Sequence, residues 1–133
     1  MARPRLEALS ARPLVLVDGA HNPASFGVLA RTVRAIAPRG RRVFVVGMAA
    51  DKDVRGSLRR LRGAATIVIA TTSGQTRALD PEALAREARS LGLRAKTAPD
   101  PSSALRQARR EAGREGTVVV TGSLYLCGAV LGL

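Results

Sequence analysis

Asp18, His21 and Asn22 fall within the run Asp18-Gly19-Ala20-His21-Asn22-Pro23, which directly follows the apolar Leu14-Val15-Leu16-Val17. A carboxylate accepts paired hydroxyl hydrogen bonds, and an imidazole can stabilise developing charge or orient a nucleophile. The three side chains lie on a turn that leaves a buried strand and enters a stretch with helical spacing. In an α/β protein that turn belongs to the ligand-binding edge of the sheet. The same residues also suit a plain structural turn, with Asp18-Gly19 ending the strand and Asn22 capping a helix that begins at Pro23.

Three further loops have the same setting. Gly47-Met48-Ala49-Ala50 leads into Asp51-Lys52-Asp53, Thr71-Thr72-Ser73-Gly74-Gln75-Thr76-Arg77 is polar throughout, and Thr121-Gly122-Ser123 enters a final helix. Each has a structural reading: Asp51 or Asp53 as a helix cap with Lys52 in solvent, Gly122 as a tight turn, Ser123 as a cap. Their predicted convergence on one edge is a stronger argument for a site than any one loop alone.

The elements that position these loops follow from periodicity. Leu14–Val17, Val43–Val46, Ile67–Ala70 and Val118–Val120 are nearly continuous apolar runs, as strands covered on both faces should be, with a weaker strand near Leu93–Lys96. Phe26, Leu29, Ala30, Val33 and Ala37 recur at helical spacing, as do Val54, Leu58 and Leu61. Asp80-Pro81-Glu82 and Asp100-Pro101-Ser102 each place an N-cap acid before a proline, and Gly92 and Gly113 stand where those helices should stop. A short helix should follow Gly122. The alternation predicts the α/β class: a Rossmann-like three-layer αβα sandwich with a mostly parallel sheet, and an antiparallel edge strand over Arg5–Leu9.

The totals bound the remaining possibilities. A chain of 133 residues with 46% hydrophobic and 24% charged side chains fits one globular domain, residues 1–133. No apolar run approaches membrane-spanning length and no signal peptide precedes the first strand, so a cytoplasmic domain without membrane contact is expected. One cysteine, Cys127, suits a reducing compartment, and one histidine beside it in the inventory leaves no expected zinc or other metal site. The net charge of +12 is almost all arginine and attracts polyanions. Two phenylalanines and one tyrosine are too few for a single-strand stacking platform, so charge alone does not predict nucleic-acid binding. A nucleophilic triad lacks its serine or cysteine setting. Neither Gly-x-Gly-x-x-Gly after the first strand nor a P-loop is present, so neither a dinucleotide nor a triphosphate has its usual cradle.

Five motifs in order resemble the C-terminal domain of bifunctional dihydrofolate synthase/folylpolyglutamate synthase, within the Mur ligase superfamily. Arg5-Leu6-Glu7 is similar to the strand opening that domain, and Asp18–Pro23 to its Asp-Gly-Ala-His-Asn-Pro signature. Asp51-Lys52-Asp53, Arg77-Ala78-Leu79 before a Pro-Glu-x-Leu helix start, and Thr121-Gly122-Ser123-Leu124-Tyr125 complete the set. Mur ligases carry tyrosine where Gly19 stands, which favours the folate branch.

The resemblance implies an ATP-dependent ligase in which a phosphorylated carboxylate is attacked by the amine of glutamate, in a cleft between two domains. It implies that Arg5 meets nucleotide phosphates, Asp18 the ribose, His21 the reacting centre, and Ser123 the glutamate. Asn22 would assist at the nucleotide, and Lys52, Ser73 and Arg77 at the substrate. An N-terminal P-loop domain, in cis or trans, would hold Mg2+, share the ATP and supply most of the folate pocket; without it the domain should be inactive. The other reading is a stand-alone, non-catalytic module whose arginine-rich surface takes an anionic partner such as nucleic acid.

Overall fold

The computed structural model of the chain describes residues 6–133. Six strands and five helices alternate: β1 (Glu7–Ala11), β2 (Leu14–Val17), α1 (Pro23–Ile36), β3 (Arg42–Val46), α2 (Val54–Arg59), β4 (Ile67–Ala70), α3 (Pro81–Ser90), β5 (Ala95–Thr97), α4 (Pro101–Ala112), β6 (Thr117–Thr121) and α5 (Leu124–Leu131). They form one sheet of order β1-β2-β6-β3-β4-β5. Every neighbouring pair is parallel except β1 with β2.

This order explains the three layers. The chain steps outward from β2 through β3 and β4 to β5, then returns to insert β6 between β2 and β3. Right-handed crossovers taken in opposite directions place their helices on opposite faces. Accordingly, Leu16, Phe44, Val46 and Val68 pack with Phe26, Leu29, Leu58 and Leu84 of α1, α2 and α3. Their strand neighbours Val15, Val45, Ile69 and Val118 pack with Ala104, Ala108, Leu126 and Val130 of α4 and α5. Successive strand residues thus serve different layers, and this is why both parities are apolar.

The four main strands lie where the apolar runs predict them, and both Asp-Pro helix starts form with the aspartate as N-cap. Gly92 and Gly113 follow α3 and α4 with φ of 85° and 70°, a conformation that favours glycine. Three boundaries differ. The antiparallel edge strand covers Glu7–Ala11, further along than predicted, and Arg5 lies outside the described residues. The fifth strand is displaced to Ala95–Thr97 because the Leu93 amide donates to the Ala88 carbonyl and closes α3 instead. Leu61 lies past the end of α2, in turns made by i-to-i+3 hydrogen bonds, yet remains buried.

The sheet edge at the amino ends of the strands is held by Arg42. Its Nε donates to the Ala64 carbonyl at 2.6 Å and its Nη1 to the Ala37 carbonyl at 3.0 Å. One guanidinium thereby satisfies orphan carbonyls after both α1 and α2, which fixes those helices against the sheet.

Candidate functional site

Four loops at the carboxyl ends of β2, β6, β3 and β4 are joined by main-chain hydrogen bonds. The Gly122 amide donates to the Ala20 carbonyl at 2.9 Å, the Gly47 amide to Thr121 at 3.3 Å, and the Leu79 amide to Met48 at 2.8 Å. Ala50 donates to Arg77 at 2.7 Å. Glycine is required at 122: φ is +113°, and a Cβ there would stand 2.3 Å from the Gly47 carbonyl oxygen. The predicted convergence is therefore a physical seam along the sheet edge.

At one end of the seam stands the Asp18–Pro23 turn. The Asp18 carboxylate is half-buried; Oδ1 accepts the Ala20 amide at 2.8 Å, and Oδ2 accepts from no group among the described residues. His21 Nδ1 lies 3.1 Å from the Gly19 carbonyl. A carbonyl only accepts, so Nδ1 carries the hydrogen, and in the neutral ring Nε2 is the acceptor nitrogen. Asn22 Oδ1 accepts the Ser25 amide at 2.8 Å, while Ser25 Oγ accepts the amides of His21 and Asn22 at 3.1 and 3.2 Å. The capping reading of Asn22 thus holds, and the cap is what fixes the backbone beside His21.

At the other end is a cleft of about 420 Å³, whose lining includes Lys52, Ser73, Arg77, Ser123 and Tyr125. It gathers all four residues that the resemblance assigns to substrate; Asp18, His21 and Asn22 lie outside its lining. Arg77 Nη1 is 3.6 Å from Asp51 Oδ2, an exposed pair whose guanidinium stays largely in solvent. Ser123 Oγ accepts the Leu126 amide at 2.9 Å as the cap of α5. A capping hydroxyl uses a lone pair, so its hydrogen can still be donated into the cleft. The start of α5 also brings the positive end of a helix dipole to this lining. Asp53 faces away from such work: its Oδ1 accepts the Gly56 amide at 2.9 Å and caps α2. Among the described residues no three His, Cys, Asp or Glu side chains gather to hold a metal ion, and no helix is long and apolar enough to cross a membrane.

Sequence reasoning missed Ser25 and Cys127. The Asn22-x-x-Ser25 spacing is a legible capping signal, but nothing local links Cys127 to the turn. The buried Cys127 thiol donates to the Asp18 carbonyl at 3.2 Å, tying α5 to the end of β2. Burial, with the Asp18 charge adding to it, pushes the thiol up to about 12. The unfolded thiol ionises near pH 8.5, so between that pH and 12 the unfolded chain has lost a proton that the folded chain keeps. Stability from this group is complete below about pH 8.5 and declines as pH rises through that window. Denaturant titrations at about pH 8 and about pH 10.5 should show a smaller loss for Cys127→Ala than for the unsubstituted chain. Equal losses would remove the thiol as the cause.

A mostly parallel sheet with a polar seam on its carboxyl edge, a half-buried acid at one end and a cleft lined by Asp51, Lys52 and Arg77 at the other is of the nucleotide-fold class, in which ligands gather at that edge. Residues 4–124 match the family described as Mur ligase, glutamate ligase domain, and the chain belongs to that family. It is 42% identical over 81 residues to the dihydrofolate synthase/folylpolyglutamate synthase of Mycobacterium tuberculosis, covering 61% of this chain and 17% of that one. The folylpolyglutamate synthase of that organism complexed with ADP superposes with a TM-score of 0.89 at 35% identity, covering 99% of this chain and 32% of that one. The bifunctional enzyme of Yersinia pestis with Mn, AMPPNP and L-glutamate bound gives 0.86 at 28% identity, covering 95% of this chain and 30% of that one. The chain therefore spans no more than about a third of the length of these relatives. That these relatives are dihydrofolate and folylpolyglutamate synthases, and that the family is described as a glutamate ligase domain, favours the ligase reading of the motifs over a module for an anionic partner.

Proposed function

We propose that this chain forms the C-terminal part of an ATP-dependent folate:glutamate ligase, supplying one wall of a nucleotide and amino-acid site. The single observation that carries this reading is the seam itself. It joins the Asp18–Asn22 turn to a cleft where Lys52, Ser73, Arg77 and Ser123 meet the first turn of α5. On this reading Oδ2 of Asp18 accepts ribose hydroxyls, and Arg5 and Asn22 complete the nucleotide contacts. Lys52, Arg77, the Ser123 hydroxyl and the helix dipole together suit a carboxylate, which is the part of glutamate that needs holding while its amine reacts.

His21 stands on the Asp18–Pro23 turn, at the nucleotide end of the seam. With Nδ1 committed to the Gly19 carbonyl, Nε2 is the nitrogen suited to orient the attacking amine or to meet charge at the reacting centre. ATP, when bound, activates the folate carboxylate by phosphorylation. A separate P-loop domain, in cis or trans, holds Mg2+ and most of the folate; the complete ligase works in the cytoplasm. The present chain alone should turn over neither ATP nor folate.

The test is reconstitution. Supplied in excess with a P-loop domain from a related synthase, the chain should restore ATP- and glutamate-dependent extension of a folate substrate. No extension with a partner that is active beside its own C-terminal domain would overturn the reading.

A further inference from the structure

Two guanidinium groups converge on Gly27, in the second turn of α1 and outside both the seam and the cleft. A Cβ built on Gly27 would stand 3.1 Å from Arg60 Nη1 and 3.6 Å from Arg31 Nη1. The two nitrogens therefore lie no farther apart than those distances together. We propose that this pair binds a phosphate dianion, either the free ion or the terminal group of a phosphomonoester. The inference goes beyond the ligase reading and uses none of its residues.

Like charges brought this close repel, and nothing in the chain offsets them. Arg31 reaches back over Gly27 as long helical side chains do, while Arg60 leaves the end of α2 to meet it. Neither guanidinium forms a hydrogen bond or an ion pair among the described residues. No Asp or Glu occurs from Gly19 to Ala50 or from Val54 to Leu79, so α1 and α2 carry no acid. Arg34, seven residues beyond Gly27 and three beyond Arg31, shares their helix face and adds to the positive charge. Glycine weakens a helix interior relative to alanine, and at 27 its missing side chain is what admits the Arg60 guanidinium. An oxyanion between the guanidinia replaces repulsion with two attractions. Charge-assisted hydrogen bonds of about 2.8 Å to oxygens on opposite sides of one tetrahedral anion span a gap of this size. A carboxylate presents both oxygens on a single edge and carries one charge, so it satisfies only one guanidinium. A phosphate dianion has oxygens on several sides and matches the charge of the pair.

Titration of the chain with inorganic phosphate at low ionic strength, followed by the amide NMR signals of α1, tests the proposal. The Gly27 and Arg31 amides should shift saturably, and Arg60→Gln should weaken the affinity about fivefold. Arg106→Gln removes the same charge from α4, in the opposite layer, and should weaken it less than about twofold. Both arginines are exposed, so neither substitution should prevent folding, and thermal midpoints verify this. Gly27→Ala separates binding from structure: its methyl displaces Arg60 and lowers the affinity, while the midpoint stays level or rises. Glycerol phosphate shifting the same amides as strongly supports a phosphomonoester as occupant, and inorganic phosphate binding far better supports the free ion. Absence of a saturable shift at these amides would overturn the proposal. So would equal losses in the Arg60 and Arg106 variants, which indicate attraction by overall charge, or acetate binding as tightly as phosphate.

Discussion

Gly122→Ala should destabilise the domain by about 3–5 kcal/mol, lowering its thermal midpoint by roughly 10–20 °C. Two costs combine at this position. Alanine at φ +113° is strained whatever the space around it, and its Cβ would meet the Gly47 carbonyl oxygen at 2.3 Å. That oxygen belongs to a loop anchored by the Thr121 carbonyl on one side, so the clash cannot be relieved by rotating a side chain. The seam must open between β6 and β3, and the Gly122–Ala20 hydrogen bond that holds the Asp18 turn opens with it. Differential scanning calorimetry measures the result directly. A fall of only about 2–3 °C would show that the edge is pliable and that close approach is not what selects glycine.

His21→Asn should lower kcat in the reconstituted ligase by roughly 100-fold or more while changing the KM for ATP little. Asparagine places its Nδ2 where the imidazole has Nδ1 and can still donate to the Gly19 carbonyl, so the turn should keep its shape, and the lost hydrogen bond in the worst case is worth about 1 kcal/mol. What asparagine lacks is the second ring nitrogen, Nε2. Steady-state kinetics separate the two contributions: a structural histidine would raise KM or lower the midpoint, whereas a histidine at the reacting centre lowers kcat. A decrease in kcat below about tenfold would make His21 a turn residue.

These two residues also mark where local sequence stops being informative. His21 is conspicuous because Asp18-Gly19-Ala20-His21-Asn22-Pro23 combines strand-ending, capping and chemical side chains in six positions. Gly122 reads only as a turn glycine, since its obstruction comes from Gly47, 75 residues earlier and with two strands, β4 and β5, between them in chain order. Lys52, Ser73, Arg77 and Ser123 share the same difficulty. Each was visible as a polar residue on a loop, but their common cleft depends on which loops become neighbours. Cys127 is a clearer case still: an apolar helix position in sequence, it contacts the Asp18 carbonyl 109 residues away. The misplaced fifth strand has a local cause that outweighed its pattern, because the Leu93 amide is used to close α3.

What the sequence alone determined was the set of elements and their kind. β-branched runs without alternation demand burial on both faces, Asp-Pro pairs start helices, and glycines at positive φ stop them, all within a few residues. What only the tertiary structure decided was adjacency. Inserting β6 between β2 and β3 lets the Thr121 hydroxyl donate to Ala20, 101 residues distant, and sets the α5 cap beside the β3 and β4 loops. The physical reason is that periodicity reports which face of a strand is covered, not which strand lies beside it. That choice is made by crossover handedness and packing over the whole sheet, and here it joined four separate loops into one site.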